Sequence, residues 1–236
     1  YDRWRNDNLT NRYQGVQFGY TSAGRYTSWN DIWSYPGYKE RDILPGDYKY
    51  EDWNGDGEIN GQDEHPFAFD QTPWLQFSLN AGLQWKNLDF NMLLQGSALG
   101  SMEYKEPLHE IWGKNGGGAL TQFLDRWHPV DPKADPYDPS TVWTSGHYAY
   151  TGRWAKNNSA FNRVSTAYLR LKSIELGYTF PKLKQIPNAS LRIYANAYNL
   201  LTFTGVKFVD PEHPDDDLGR MYPLNKTYTL GVSLSF

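Results

Sequence analysis

The sequence has no cysteine among its 236 residues, so disulfides, thiol chemistry and cysteine-ligated zinc are excluded. It also has no continuous run of about 18 apolar residues, which excludes a transmembrane helix. Its formal net charge is −4 and its lysines and arginines do not cluster, which argues against a nucleic-acid partner. Residues 1–4 do not begin the basic stretch or the apolar stretch that a signal peptide contains. No signal peptide is therefore predicted, and we expect this sequence to belong to a longer chain.

Residue patterns that carry catalysis are also lacking. The five histidines are scattered without metal-ligand spacing, and no nucleophile-elbow or phosphate-binding glycine motif occurs. Carboxylates are numerous, but no spacing pairs two of them as a glycosidase requires. We therefore predict that the protein is not an enzyme.

Aromatic residues, in contrast, are abundant. They make up 17% of the chain, with 10 tryptophans and 18 tyrosines, although the overall hydropathy is low. This composition suits a transmembrane β-barrel, in which lipid-facing and lumen-facing residues alternate along each strand. Extended glycan-binding surfaces have the same composition, so both classes stay open. Candidates for contact with a substrate or a partner protein are Trp112, Trp143 and Trp154.

The clearest pattern is an alternation of apolar and polar residues, which indicates β-strands with one apolar face. From 75 to 85 every odd position is apolar, and after Lys86 and Asn87 the even positions from 88 to 94 are apolar. Two such strands across a short turn that contains asparagine predict a β-hairpin.

The same alternation predicts three further strands, over 174–180, 191–198 and 227–236. Each of these segments is near the length of about 9–11 residues that a tilted strand needs to cross a membrane. The polar faces consist mostly of Ser, Thr, Asn, Gln and Gly, whereas the outer face of a soluble sandwich usually carries many charges. This polar face indicates the lining of a water-filled lumen.

The connections between the predicted strands differ greatly in length. Short turns at 86–87 and 181–188 contrast with long polar stretches over 21–73, 101–163 and 204–224. Outer-membrane barrels have short turns on one side and long loops outside the cell. We therefore predict an all-β fold, a transmembrane antiparallel β-barrel with long extracellular loops. Within one loop, apolar spacing from 119 to 127 predicts a short helix.

Residues 52–63 match the spacing of a calcium-binding loop of the EF-hand type, with oxygen ligands at positions 1, 3 and 5 and an acidic residue at position 12. The predicted ligands are Asp52, Asn54, Asp56, the main-chain carbonyl of Glu58, and Asp63. Gly57 permits the sharp turn, and Ile59 is expected to anchor the loop by its apolar side chain. Bound Ca²⁺ would stiffen the predicted extracellular loop 44–73 without any catalytic role. The alternative is a turn with solvated carboxylates.

Seven short segments of the sequence carry a family resemblance. They are 44–52 (LPGDYKYED), 72–74 (TPW), 94–96 (LQG), 168–178 (YLRLKSIELGY), 198–203 (YNLLTF), 222–223 (YP) and 227–232 (TYTLGV). Together, and in this order, they resemble the SusC/RagA type of TonB-dependent transporters of Bacteroidetes. The resemblance covers about residues 16–236 and depends on the combination, because each motif alone is modest.

The resemblance implies that residues 1–236 are the C-terminal segment of an outer-membrane barrel of about 22 strands around an N-terminal plug. The implied partners are the remaining N-terminal part of the same transporter, a SusD-like lipoprotein lid, the TonB complex and outer-membrane lipid. The implied function is TonB-dependent import of large nutrients, oligosaccharides first and peptides second. The alternative function is that of a secreted, calcium-stabilised, β-rich glycan-binding module.

Overall fold

The computed structural model describes residues 15–37, 43–109, 119–150, 158–181, 189–213 and 219–236. The chain divides into two compact units. The loop unit comprises Tyr1–Asp70, Ser101–Val164 and Asp217–Gly219, and the sheet unit comprises Gln71–Gly100, Ser165–Asp216 and Arg220–Phe236. Within the described ranges, no helix is long and apolar enough to cross a membrane.

Most regular structure in the described residues is β-strand. The strands in chain order are β1 (Gln17–Gly19), β2 (Ser22–Arg25), β3 (Tyr48–Tyr50), β4 (His65–Ala68), β5 (Leu75–Trp85), β6 (Leu88–Ala98), β7 (Ser101–Glu103), β8 (His128–Pro129), β9 (Trp143–Thr144), β10 (Arg163–Ser165), β11 (Tyr168–Phe180), β12 (Ser190–Thr204) and β13 (Thr227–Ser235). The helical elements described are α1 (Trp29–Ser34) and the 3-10 turns Gly61–Asp63, Glu106–Leu108 and Thr121–Leu124.

The sheet unit is built on one antiparallel sheet with the strand order β13-β12-β11-β6-β5. β5 and β6 form the predicted hairpin, in which Trp85 pairs with Leu88 across a two-residue turn. Lys86 in that turn has a φ of 55°, as tight hairpin turns require. The alternation therefore predicted all five strands correctly. β11 and β12, at 13 and 15 residues, are longer than predicted.

A β-bulge in β11 explains why the alternation predicted only the second part of this strand. The pairing of β11 shifts register between Leu171 and Ser173 with both neighbouring strands. Because a bulge inserts one extra residue, the apolar positions change from odd to even numbers as the strand passes it. Leu171 pairs with Leu94 and Ile174 pairs with Met92 in β6. One face of the sheet therefore stays apolar through the bulge.

The apolar face of the sheet is exposed. Leu83 in β5 is 64% exposed and Leu230 in β13 is 77% exposed. The face continues from strand to strand, for example where Ile193 pairs with Val232. A soluble protein would cover such a face, because burial of one large apolar side chain contributes about 1.5–3 kcal/mol. The arrangement is typical of a barrel wall whose apolar band faces lipid.

The opposite face of the sheet carries an ion-pair cluster that the sequence pattern did not predict. Arg192 in β12 donates to Asp89 in β6 at 3.1 Å and to Glu175 in β11 at 2.7 Å. Gly177 in β11 makes room for this bridge, since a Cβ there would lie 2.5 Å from Arg192 Nη2. The expectation of a mostly uncharged polar face was therefore incomplete.

The loop unit has a small aromatic core. Tyr20, Tyr50 and Ile59 are buried together, and Tyr48 and Phe161 pack against them. The two-stranded sheets β1–β4, β2–β3 and β8–β9 also lie in this unit. Segments with polar sequences and no clear alternation are thus ordered by short strand pairs and shared aromatic packing.

The helix expected over 119–127 is wrong. The structure has only the 3-10 turn Thr121–Leu124 there, and Leu120 at its N-cap makes no side-chain capping bond. Without such a cap, the first N–H groups of a helix lack acceptors. Phe123 is buried but Leu124 is 77% exposed, so the expected apolar helix face does not form.

Candidate ligand pocket

A tight turn over 44–47 forms one wall of the candidate site. The Asp47 N–H donates to the Leu44 carbonyl at 3.0 Å, and the Leu44 N–H donates to the Asp47 carboxylate at 2.8 Å. Pro45 and Gly46, the latter with a φ of 92°, occupy the central positions as a type II turn prefers. Leu44, Pro45 and Asp47 are buried, which fixes the turn within the loop unit.

Trp127 packs directly on this turn. A Cβ at Gly46 would lie 2.3 Å from Cγ of Trp127, so the absence of a side chain permits the contact. Main-chain hydrogen bonds hold both partners, from the Gly46 N–H to the Tyr26 carbonyl at 2.7 Å and from the Trp127 N–H to the Tyr148 carbonyl at 2.8 Å. The backbone therefore positions the Trp127 ring.

Two further tryptophans come from α1 and β9. Trp29 is the first residue of α1, where the Ser28 hydroxyl accepts a capping hydrogen bond from the Asp31 N–H at 3.2 Å. Trp143 lies in β9, and its ring packs edge-on against Tyr150 with the ring centroids 5.3 Å apart. The indole N–H groups of Trp29 and Trp143 are buried and meet no acceptor in the described part of the chain.

Trp29, Trp127 and Trp143 line one cavity of about 260 Å³, which we name the tryptophan pocket. Pro45 and Pro139 complete its apolar lining. The polar lining consists of hydroxyl-bearing residues, namely Thr27, Ser28, Thr141 and Ser145. Among the described residues that line the pocket, none carries a charged side chain.

Ionisable groups on the supporting elements keep one charge state around neutral pH. Burial raises the pKa of Tyr148 to about 12, and burial also raises the pKa of Tyr26, so both phenols stay neutral. Asp31 forms an ion pair with Lys49 at 2.6 Å. Partial burial opposes ionisation of Asp31, but hydrogen bonds from Lys49 and Thr27 hold its pKa below the ordinary value. The carboxylate therefore stays ionised and paired.

Of the three tryptophans proposed from the sequence as contact residues, Trp143 lines the pocket, whereas Trp112 and Trp154 lie outside the described residues. The contact of Trp143 with a ligand stays a prediction. Trp29 and Trp127 were missed. Trp127 was assigned to a helix face, and no local pattern distinguishes Trp29 from the other loop aromatics. The 44–47 turn has a glycine at a central position, and this part of the sequence could have indicated that one wall of the pocket is fixed.

The predicted calcium loop is an ordered turn held by its own side chains. Asp52 accepts hydrogen bonds from the N–H groups of Gly55 at 2.7 Å and Gly57 at 2.8 Å. Asn54 Oδ1 accepts from the Asp56 N–H at 2.9 Å, and Asp56 Oδ1 accepts from the following Glu58 N–H at 2.8 Å. The side chains of Asp52, Asn54 and Asp56 therefore already stabilise the turn by accepting hydrogen bonds from the backbone.

Asp63 ties the two ends of this loop together. Its side chain is buried, and it accepts from the Trp53 N–H at 2.9 Å and the Asn60 N–H at 2.8 Å. Ile59 lies in the core with Tyr20, as expected of the apolar anchor. Both carboxylate oxygens of Asp63 are thus engaged by main-chain donors.

The loop has oxygen donors of the kind that calcium prefers, but they do not form a ready site. In the described part of the chain, no group of three or more acidic or histidine side chains is arranged to hold a metal ion. Coordination would require Asp52 and Asp56 to turn away from their main-chain partners, and Asp63 is held most firmly. Calcium binding therefore stays a prediction.

A second charged cluster, on the sheet unit, was also not predicted. Arg170 in β11 is 2% exposed and forms an ion pair with Asp210 at 2.7 Å and another with Glu212. Glu212 also pairs with Lys172 at 2.9 Å and accepts a hydrogen bond from the Tyr168 hydroxyl at 2.9 Å. These bonds attach the segment after β12 to the polar side of β11.

The sequence is similar to two receptors of Formosa agariphila, although no family model matches it. It is 28% identical to TonB-dependent receptor P3 over 211 residues, which are 83% of this chain and 19% of the relative. It is 27% identical to TonB-dependent receptor P26 over 239 residues, which are 95% of this chain and 22% of the relative. The chain therefore spans about a fifth of the length of the curated relatives it matches.

The fold is similar to that of the RagAB peptide importer. In its open-open state the TM-score is 0.56 with 20% identity, and the match covers 93% of this chain and 22% of the other. In its closed-closed state the TM-score is 0.59 with 19% identity, and the match covers 93% of this chain and 23% of the other. The five-stranded sheet therefore has the fold of part of that protein.

These relatives are receptors and a transporter, and none is an enzyme, which agrees with the prediction of no catalysis. Three observations agree with the family resemblance of the sequence. They are the seven sequence motifs, the exposed apolar face of an antiparallel sheet, and both comparisons. The sequence similarity and the shared fold together support the resemblance of this chain to a segment of a TonB-dependent transporter of the SusC/RagA type.

Proposed function

We propose that the full-length protein imports large nutrients across the bacterial outer membrane with energy from TonB, and that this chain is its C-terminal segment. The observation that carries the proposal is the antiparallel sheet whose apolar face is exposed on both edge strands, with Leu83 at one edge and Leu230 at the other. Such a face suits lipid and not water. The secreted glycan-binding module would have to keep this face in solvent.

The proposal places the long connections between the strands outside the cell and short turns such as that at Lys86 in the periplasm. A SusD-like lipoprotein would cover the extracellular opening, and TonB would act through the N-terminal part of the transporter. The similarity to a peptide importer supports peptides as cargo, and the tryptophan-rich loop unit supports oligosaccharides. Oligosaccharides are the first cargo that we would test.

The experiment uses the full-length transporter in its own cells. After carbonate washing, the protein should stay in the outer-membrane fraction, and a native gel of a mild-detergent extract should show it with a surface lipoprotein. Uptake of the cargo should cease in a strain without TonB. Release of the protein as a soluble species would contradict the proposal.

We also propose that residues 52–63 bind Ca²⁺ and stiffen the loop that contains them. The supporting observations are the ligand spacing and the buried anchor Ile59. The binding would need a rearrangement of Asp52 and Asp56, and its test is given with the other element-scale predictions.

A further inference from the structure

The turn over 54–57 reads Asn-Gly-Asp-Gly, and both of its dipeptides have the sequence that most readily modifies itself. We infer that Asn54 is a latent deamidation site, that Asp56 is a latent isomerisation site, and that the carboxylate of Asp52 protects both. The chemistry involves only this chain and water. It therefore goes beyond the proposed transport and does not depend on the cargo.

The reaction at Asn54 begins when the main-chain nitrogen of Gly55 loses its proton and attacks Cγ of Asn54. The new C–N bond closes a five-membered succinimide ring, and the side-chain nitrogen leaves as ammonia, which takes up the proton. Water then opens the ring at one of its two carbonyls and leaves aspartate or isoaspartate. At Asp56 the nitrogen of Gly57 closes the same ring with loss of water, and hydrolysis returns aspartate or isoaspartate. Glycine favours both reactions because it has no Cβ to hinder the attack.

One carboxylate holds both of the attacking nitrogens. The Gly55 N–H donates to Asp52 Oδ1 at 2.7 Å, and the Gly57 N–H donates to Asp52 Oδ2 at 2.8 Å. Each N–H must leave this charge-assisted hydrogen bond before its nitrogen can attack. The negative charge of Asp52 also opposes loss of the proton, because a like charge nearby disfavours ionisation. Asp52 therefore opposes both reactions at their first step.

Packing does not protect this turn. Gly55, Asp56 and Gly57 are exposed, and a Cβ on either glycine would meet no atom within 4 Å. Water can therefore reach both positions at which a succinimide would form. Asn54 Oδ1 accepts from the Asp56 N–H at 2.9 Å, and Asn54 Nδ2 donates to Asp56 Oδ2 at 2.8 Å. These bonds join Asn54 to Asp56, whereas the hydrogen bonds of the two glycine nitrogens are made to Asp52.

A second Asn-Gly pair in the same loop provides an internal comparison. Asn60 precedes the 3-10 turn Gly61–Asp63, and its Oδ1 accepts from the Gln62 N–H at 2.8 Å. Asp63, which is 1% exposed, accepts from the Asn60 N–H at 2.8 Å. These bonds involve Asp63 and not Asp52. Loss of Asp52 should therefore change the reaction at Asn54 and leave that at Asn60 unchanged.

Either modification would damage the turn. Deamidation of Asn54 adds a negative charge beside Asp52 and Asp56, and isoaspartate lengthens the main chain by a methylene group. The spacing of residues 52–63 would then be lost. Protection by Asp52 preserves this spacing for as long as the turn stays closed.

The test uses the full-length transporter in detergent, with a chelator present so that bound Ca²⁺ cannot replace these hydrogen bonds. The variants are Asp52→Ala and Asp52→Asn. The matched control is Asp138→Ala, which removes an exposed carboxylate of the same unit. Samples are incubated in a mildly alkaline buffer and digested at intervals. Mass spectrometry measures the conversion of Asn54 and Asn60 from amide to acid, and fragmentation of the peptides locates isoaspartate at 54 and 56.

We expect Asn54 in Asp52→Ala to deamidate about tenfold faster than in the natural protein, or more, because a hydrogen bond to a charged group typically contributes about that factor. Isoaspartate at 56 should increase in the same variant, and Asn60 should keep its natural rate. The control variant should react like the natural protein. If Asp52→Ala does not fold, Asp52→Asn decides, because it keeps the size of the side chain and removes the charge.

Three results would overturn the inference. The first is an unchanged rate at Asn54 in the Asp52 variants. The second is equal acceleration at Asn54 and Asn60, which would show that the whole loop has opened. The third is deamidation of Asn54 in the natural protein as fast as in a synthetic peptide of residues 50–65. None of these results bears on transport, which TonB-dependent uptake tests separately.

Discussion

Gly46 and Gly57 both adopt a left-handed backbone conformation, with φ of 92° and 86°, but their surroundings differ. A Cβ at Gly46 would meet Trp127 at 2.3 Å, whereas a Cβ at Gly57 would meet nothing within 4 Å. Alanine at Gly57 should therefore cost only the left-handed strain, about 1–2 kcal/mol. Alanine at Gly46 should cost that strain and a further penalty of about 1–3 kcal/mol for overpacking.

The measurement is the thermal unfolding midpoint of the full-length transporter in detergent, with Gly57→Ala as the matched control for Gly46→Ala. Equal midpoints for the two variants would mean that Trp127 does not depend on the 44–47 turn. The tryptophan pocket would then lack its fixed wall.

Arg170 and Lys172 are neighbouring cations on β11 that share Glu212 but differ in burial. The Arg170 side chain is 2% exposed, and the Lys172 side chain is 32% exposed. Replacing Arg170 by leucine would leave Asp210 and Glu212 without their buried partner, which typically costs about 3–5 kcal/mol. Replacing Lys172 by leucine should cost no more than about 1 kcal/mol, because that pair is partly solvated. Thermal unfolding of both variants checks the difference, and equal losses would contradict the assigned burial.

The sequence predicts single residues less well than it predicts strands. Trp143 was a candidate because loop tryptophans are conspicuous, but the two other tryptophans of the pocket come from other segments of the chain. Trp29 reaches it through a six-residue helix and Trp127 through the contact with Gly46. Such long-range packing has no periodic signature, so composition alone could not bring these rings together.

At the scale of the element, β13 gives the sharpest contrast between the two faces of the sheet. Leu230 pairs with Ala195 on the apolar face, and Ser233 pairs with Arg192 on the polar face. Arginine at Leu230 should cost about 2–4 kcal/mol if this residue lies near the bilayer midplane. Arginine at Ser233 would point into the wet lumen and should cost much less, apart from repulsion by Arg192. Urea unfolding of the transporter in lipid vesicles measures both, and equal costs would contradict the assigned faces.

The loop over 52–63 is the element on which calcium should act. Ca²⁺ at 100 times its dissociation constant would stabilise the folded loop by about 2.7 kcal/mol. We expect added Ca²⁺ to raise the thermal midpoint of the full-length transporter and a chelator to reverse the effect. Asp52→Asn combined with Asp56→Asn should abolish the response, whereas Asp138→Asn, an exposed carboxylate outside the loop, should keep it. If Ca²⁺ does not change the thermal midpoint of the natural protein, the calcium proposal is contradicted, and residues 52–63 form only a hydrogen-bonded turn.

The strands were predictable because each has one apolar face along its whole length, so alternation alone located five of them. The bulge at Leu171 was not predictable, since one inserted residue breaks the alternation without any special residue type. The ion pairs of Arg192 were missed for another reason. They join β12 to β6 across Gly177, and a pattern within one strand contains no information about a partner two strands away.

At the scale of the whole molecule, the sheet needs further strands to pair with its two edges. β5 and β13 are its edge strands, so within the described residues each has a strand partner on one side only. Unpaired edge strands cannot persist in lipid, because their N–H and C=O groups would have no partners. The remaining strands of the full-length transporter would pair with both edges, which agrees with a chain that spans about a fifth of its relatives.

The most direct test of the lipid-facing sheet is spin-label accessibility along β13 in the full-length transporter, reconstituted in lipid vesicles. This chain has no cysteine, and with any cysteine elsewhere in the transporter replaced by serine, single cysteines are introduced at Leu230, Val232 and Leu234 and at Thr229, Ser233 and Ser235. The account predicts that labels at the first set contact oxygen dissolved in the lipid, and labels at the second set contact a water-soluble nickel reagent. Water accessibility at both sets would contradict the assignment of this sheet to a membrane barrel.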